Sequence, residues 1–366
     1  MKVKIERDRL LRPLSQVTGV VEKRQTLPIL GNVYIKEERN TLTLVGTDLE
    51  TEVLTRVANV DGEGGECTVT ARKFYDICRM LPEEATISLV NEGDRTIITS
   101  GRSRFTLQSL PAADFPRLEA EKWEESMEIK QRDLRTLLEN TAFSMAQQDV
   151  RYYLNGCLLE IEKSGLKVVA TDGHRLAKSE ISLPLNVLAK RLVIIPRKAV
   201  NELLRFLGEG DDSAQLEVNP NHIRVGTESW VFISKLIDGR FPDYDKVIPS
   251  SLSIHLQVDR LKLLEILART AILTNEKFRG VRLVLKEGVM MVMASNPEQE
   301  EAVDEMVVDY GGEKVEIGFN VGYLMDALRA LESDEVDLGL QDANSSCTLN
   351  EPGKQSTLYL VMPMRI

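Results

Sequence analysis

Cysteine, histidine and aromatic side chains are all scarce in these 366 residues. The four cysteines, Cys67, Cys78, Cys157 and Cys347, form no CxxC pair, which excludes a zinc ribbon and a thioredoxin-like redox motif. Free thiols in a reducing cytoplasm are the expectation. His174, His222 and His255 are far apart, so a histidine-rich metal centre has little to draw on. Aromatic residues make up only 5%, a thin supply for stacking on single-stranded nucleic acid. No apolar run approaches the roughly 18 residues a membrane span requires. The opening MKVKIERDRLL is charged early and leads into no apolar stretch, so no secretory signal is expected. There is no Walker lysine loop or GxGxxG, and no helix-turn-helix, basic zipper or zinc finger.

What is present is an ordinary globular composition, 43% hydrophobic and 28% charged, with 46 basic and 57 acidic residues and a net charge of −11. The length suggests two or three domains. The acidic balance argues against a protein that coats nucleic acid with its whole surface, but it leaves room for a local basic track.

The chain also repeats itself, at a period of about 124 residues. Each third opens on a helix-like segment, from Glu6, Lys130 and Val258. Leu134, Leu137, Leu138 and Thr141 fall at helical spacing in the second; Leu261, Leu264, Ala268 and Ile272 read as nearly the same stripe in the third. Pro13 is expected to kink the first helix or delay its start. Two strand-like runs and a turn follow, as in GCLLEIEK and LKVVATDGHR. The turn pairs Thr47-Asp48, Thr171-Asp172 and Ser295-Asn296 are each 124 residues from the last, and such side chains favour turns by bonding nearby backbone. A second helix comes next (ARKFYDICRML, PRKAVNELLRFL, FNVGYLMDALRAL), and further β-like runs close each third. Phe115-Pro116 and Phe241-Pro242 read as matching linker signals. The expectation is an α+β chain of three repeated domains, each two helices on one side of antiparallel sheet, at 1–122, 126–247 and 252–366.

Over residues 7–24, 72–80, 130–151, 197–205, 259–279 and 320–329 the helix windows carry a net +10, so the remainder carries −21. One reading is that Lys and Arg are good helix formers on solvated faces. The other is that these helices share one surface facing phosphates, while the acidic remainder repels DNA; with no base-reading motif, contact is then without sequence preference. TDGHRL gathers Asp172, His174 and Arg175, residue types suited to acid–base work. The matching turns read TDLE and SNPE, so turn formation is the simpler role. The acidic run from Asn296 to Glu305 lacks the spacing and glycine of a calcium loop. It is a solvated face, or it pairs with Arg102 and Arg104 of another subunit. Met362 and Met364 in the apolar C-terminus end a last strand and also suit an adaptable groove wall. A holder of duplex DNA, a three-repeat interaction scaffold and an enzyme using Asp172 and His174 all stay open on these residues.

Strings spread along the whole chain carry a resemblance: TLPILGN, GTDLE, ARKF, GRSRF, LPAADFP, QDVRYYLNG, ATDGHRLA, PRK, SKLIDGRFPDY, NEKFRGVRL, NPEQEEA, IGFN and VMPMR. In this order they resemble the β sliding clamps of bacterial DNA polymerase III. The resemblance implies a cytoplasmic, non-catalytic processivity factor without cofactor or metal. Two copies would close head to tail into a six-domain ring around duplex DNA, helices inside and sheets outside. It implies DNA contacts at Arg24, Arg72, Arg79, Gln148, Arg151, Tyr152, Tyr153, Arg197, Lys198, Arg205 and Arg240. It implies a groove for short peptide motifs of the polymerase III catalytic subunit, the clamp loader, other polymerases and repair proteins. That groove would be formed by Leu154, Thr171, Gly173, His174, Arg175, Leu176, Pro242, Lys246, Val247, Leu360, Met362, Pro363, Met364 and Arg365. The homodimer interface would join Arg95, Arg102, Arg104 and Phe105 to Ile272, Leu273, Glu298, Glu300, Glu301 and Asp304. Lys246 stands where an arginine is expected and lacks its planar fork.

Overall fold

The computed structural model describes residues 1–22, 27–118, 122–187 and 189–365. The chain divides into two compact units, Met1–Leu134 with Lys198–Leu236, and Arg135–Arg197 with Ile237–Ile366. Its helices are α1 (Arg7–Val20), α2 (Ala71–Met80), α3 (Gln131–Ala142), α4 (Arg197–Leu203), α5 (Arg260–Thr270) and α6 (Val321–Ala330). Two thus fall in each repeat, as expected. Among the described residues no helix is long and apolar enough to cross a membrane.

Two helix expectations need correction. α1 starts at Arg7, so Pro13 does not delay it, and the helix continues past Pro13 to Val20. Proline removes one intrahelical bond, but Leu10, Leu14 and Val17 are buried along one side, and that packing holds the helix. In α5 the buried face is not Leu261, Leu264, Ala268 and Ile272. It is Leu263, Ile266, Leu267 and Thr270, while Leu261 is 50% exposed and Ile272 77%. The leucine-rich segment offers two stripes of helical spacing, and the buried one, at i, i+3, i+4 and i+7, repeats the pattern of Leu134, Leu137, Leu138 and Thr141. Leu134, Leu137, Leu138 and Thr141 of α3 are fully buried as read.

In the first unit a five-stranded sheet runs Asp61–Gly62, Lys2–Glu6, Thr86–Glu92, Arg95–Ser100, Ser103–Gln108. An eight-stranded sheet runs Glu125–Lys130, Ser213–Val218, His222–Gly226, Trp230–Lys235, Thr51–Val57, Thr41–Thr47, Asn32–Glu38, Gly65–Thr70. In the second unit the order is Arg191–Pro196, Gly156–Glu162, Gly165–Thr171, Arg175–Ser182, Thr357–Val361, Cys347–Asn350, Glu335–Leu340, Ile254–Asp259, with a separate four-stranded sheet Glu301–Val307, Val289–Ser295, Gly280–Lys286, Val315–Asn320. Each eight-stranded sheet is therefore assembled from two repeats. Its joint is an antiparallel pair: Thr51 to Thr55 against Ser234 to Trp230 in the first unit, Arg175 to Ser179 against Val361 to Thr357 in the second. The second repeat is shared between the two units because each half of its sheet continues into a neighbouring repeat.

The second unit buries α5 and α6 on sheet residues including Phe319, Leu349 and Tyr359. Leu267→Ala is expected to lower unfolding free energy by about 2–5 kcal/mol in urea titration, because a closed core site relaxes only partly. Leu261→Ala is expected to stay within about 0.5 kcal/mol. Equal losses would mean that the buried face of α5 is misassigned.

Candidate functional site

A cleft of about 190 Å³ opens in the second unit. Its floor is the second sheet joint: Leu176 lies directly opposite Leu360, and both are buried, with Leu154 beside them. Thr171, Gly173 and Arg175 line it from the TDGHRL turn. Pro242, Asp243, Tyr244 and Val247 line it from the segment after the second repeat's last strand, and Met362 from the chain end. A wider cleft of about 550 Å³ shares Val247 and Met362 and adds Lys246, Pro363 and the 344–346 loop.

The turn is built by its own side chains. Thr171 donates its hydroxyl to the Arg175 carbonyl at 2.6 Å, and one Asp172 oxygen accepts the N–H groups of His174 and Arg175. Gly173 sits at φ +88°, a backbone conformation that favours glycine, and the Arg151 guanidinium lies against it. The Arg175 guanidinium donates to Asp172 at 3.1 Å and Asp326 at 2.6 Å and lies over the rings of Tyr323 and Phe143. Its charge is thus satisfied within the protein. His174 stacks on Tyr323 at 19° with centroids 6.3 Å apart, and its carbonyl accepts the Met362 N–H. Asp172 serves the turn and Arg175, which leaves no arrangement of nucleophile and base in this string.

Of the groove residues expected from sequence, His174, Met364 and Arg365 line neither cleft; Met364 instead donates its N–H to the Gly318 carbonyl. Lys246 is exposed and pairs with Asp243 at 2.9 Å. Asp243 and Tyr244 were missed, although FPDY placed them between two expected residues. Gln341 and the 344–346 loop were missed because nothing local marks a segment that reaches the cleft only through folding.

The basic residues expected to face DNA are mostly engaged within their own units. Arg24 lies outside the described residues. Arg72 and Arg79 each approach Asp76 at 3.5 Å, and Arg205 pairs with Glu202 at 2.9 Å. Lys198 donates to both Glu22 and the half-buried Asp48. Burial works against its charge, yet these two carboxylates raise its pKa overall. Arg197 donates to the Met145 carbonyl at 2.7 Å. Exposed Gln148 sits at φ +56°. Tyr152 and Tyr153 meet edge to face, Gly239 packs against both, and Arg240, the residue after it, is exposed. Arg151 donates to both Asp149 oxygens and to the Asp172 carbonyl, so it lines the cleft as well as the loop before it.

Models of the DNA polymerase III beta subunit match the chain in three blocks: the N-terminal domain over residues 1–119, the central domain over 128–243 and the C-terminal domain over 245–365. This chain belongs to the DNA polymerase III beta subunit family. Beta sliding clamps of Salmonella typhimurium and Escherichia coli K12 are each 50% identical to it over 368 residues, covering 100% of both chains. A crystal structure of a Pseudomonas aeruginosa DNA polymerase sliding clamp with ligand is similar at a TM-score of 0.97 and 47% identity, again covering both chains fully. A second structure from that bacterium, with the same similarity and coverage, is bound to griselimycin.

In this beta-subunit chain two sheets end on strands of opposite charge. Ser103–Gln108 closes the five-stranded sheet, with Arg95, Arg102 and Arg104 exposed and Phe105 half-buried. Glu301–Val307 closes the four-stranded sheet and exposes Glu301, Val303, Glu305 and Val307. Asp304 accepts Arg269 at 2.7 Å, a hydrogen bond that holds its carboxyl below the usual range. Glu298 and Glu300 are exposed in the preceding turn, where Asn296 donates to Glu300. Exposed Ile272 and half-buried Leu273 lie in the turn after α5.

The Arg151 hydrogen bonds push the Asp149 carboxyl down to about 2. A depressed carboxylate adds stability that is present above its unfolded value near 4 and is lost as pH falls toward 2. A carbon-13 titration of Asp149 is expected to show a midpoint near pH 2. A midpoint near pH 4 would mean that Arg151 is free of it.

Proposed function

We propose that the chain works as a non-catalytic processivity clamp: two copies close head to tail around duplex DNA in the cytoplasm and tether the replicative polymerase. The observation that carries this reading is the pair of sheet joints. The first repeat lends Thr51–Val57 to the last strand of the second, and the second lends Arg175–Ser182 to the last strand of the third. The third repeat's corresponding strand, Glu301–Val307, and the first repeat's last strand, Ser103–Gln108, end their sheets. A second copy supplies what each lacks. Head-to-tail contacts of this kind close when the rotation allows, and three repeats per copy give six around the ring. The domains are then 1–122, 126–247 and 252–366.

The same symmetry gives the register. Thr47, Thr171 and Ser295 stand opposite Glu52, Leu176 and Glu301, so these three are equivalent. Glu52 faces Ile233 and Leu176 faces Leu360. Tracing the first repeat's sheet strand by strand makes Thr106 the counterpart of Ile233. Glu301 therefore faces Thr106 of the other copy, Val303 faces Arg104, and Glu305 faces Arg102. Arginines fall among carboxylates, and Phe105, Ile272 and Leu273 supply apolar burial.

Inside the ring the helices and the 148–153 loop contact phosphates without reading bases, and the acidic exterior repels DNA. Arg72 is exposed and its contact with Asp76 is long, at 3.5 Å, so its cation exchanges a carboxylate for a passing phosphate at small cost. Partners are the polymerase III catalytic subunit, the clamp loader and other polymerases and repair proteins, whose short apolar peptides dock on the Leu176–Leu360 floor.

Protein assembled on nicked circular DNA is expected to stay bound through gel filtration and to be lost once the DNA is linearised. Equal retention on both would replace encirclement with surface binding. Arg104→Cys with Val303→Cys is expected to give a covalent dimer on oxidation, since directly opposed residues fall within disulfide reach. Arg104→Cys with Asp304→Cys, on opposite faces, is expected to give none. The native thiols are buried, and burial raises their pKa values, so they do not compete.

A further inference from the structure

Beneath the cleft, strand Gly156–Glu162 carries a carboxylate into the interior. Glu160 is buried, yet the sequence-derived set of groove residues does not include it, and it does not line the cleft. One of its oxygens accepts the Tyr244 hydroxyl at 2.8 Å, and the other accepts the Lys190 ammonium at 2.8 Å, with Lys167 at 3.9 Å. A charge in such a place persists only when it is paired and hydrogen-bonded.

The cleft wall from Pro242 to Val247 depends on the same contact. Pro242, Asp243, Asp245, Lys246 and Val247 are exposed, and Tyr244 alone is buried. Its ring joins the apolar cluster of Leu158, Leu176 and Leu360, and its hydroxyl reaches Glu160. The Lys246–Asp243 pair is a surface ion pair and holds little.

We infer that Glu160 is a positioning residue for the groove: its carboxylate, shared by Tyr244 and Lys190, holds the Pro242–Val247 wall in the shape that receives a ligand. The inference rests on the groove reading above. It makes the cleft preformed, so that little ordering of the wall is left to be done when a ligand arrives.

Griselimycin serves as the probe, because a structure of a relative carries it. Calorimetric titration of the full-length protein is expected to show Tyr244→Phe and Glu160→Ala each weakening binding about ten- to a hundredfold, the scale of a hydrogen bond to a charged group. Glu160→Gln keeps an oxygen for the Tyr244 hydroxyl, and Lys190 still has Glu162 at 2.6 Å. Affinity in that variant is expected to stay within about twofold of the unaltered protein. The Glu160→Ala, Tyr244→Phe double variant is expected to bind no more weakly than Tyr244→Phe alone, since both remove one contact. A merely structural role would lower the melting temperature and leave the dissociation constant unmoved. If Glu160→Ala does not fold, Tyr244→Phe, which keeps the ring, decides. Met362→Ala separates the two readings. If it weakens binding while Tyr244→Phe does not, the positioning role is overturned and the groove stands. If both bind as the unaltered protein does, the groove reading falls and takes this inference with it.

Discussion

Edge strands carry backbone groups that must find partners, and the rest of this structure follows from how the repeats meet that demand. Each eight-stranded sheet is continuous across two repeats, so the contact between repeats is a ladder of backbone hydrogen bonds rather than a patch of side chains. Such a ladder has a register. It places Leu176 opposite Leu360 and Arg175 opposite Val361, and it brings the TDGHRL turn beside the chain end. The groove is therefore a product of the second joint, not a separate invention of the loops. At the same time Ser103–Gln108 and Glu301–Val307 each end a sheet, and the two edges carry opposite charge.

The turns beside the joints show how one motif serves different ends. Asp48 and Asp172 each spend one oxygen on their own turn. The other oxygen of Asp48 takes Lys198 of α4, and that of Asp172 takes Arg175, which also reaches Asp326 of α6. Each joint thus gains an ionic brace where strand and helix meet. These braces are half-buried, so removing one partner leaves the other charge only partly in water. Lys198 is for that reason less free to meet a phosphate than Arg72, whose contact at 3.5 Å is with a half-buried carboxylate on its own helix.

Glu160 extends the same logic below the surface. The visible walls of the groove are apolar and adaptable. What aims one of them is a hydroxyl and a buried charge that a view of the cleft alone does not reveal. The beta-subunit family relation identifies the chain; the hydrogen bonds indicate which parts of the groove are stiff.

Much of the architecture was legible because it depends on local chemistry. The threefold order of helix, strands, turn and helix follows from periodicity and turn residues, and Asp48, Asp172 and Asn296 cap their own turns through contacts a few residues long. The segregation of charge could likewise be read by counting. Periodicity failed where a leucine-rich segment offered two helical stripes, as in α5, whose core face is the one packed on its sheet. At Pro13 the proline rule gave way instead, since α1 runs through it with Leu10, Leu14 and Val17 buried. Asp243, Tyr244, Glu160 and the 344–346 loop come together from places up to about 185 residues apart, and no local signal spans that distance. The residues by themselves determined the repeats, their turns and the sign of their charges, because those are short-range properties. Which strands join, which cations are already paired and what stands behind the groove were decided only by tertiary structure, because sheet register and burial are settled by the whole chain at once.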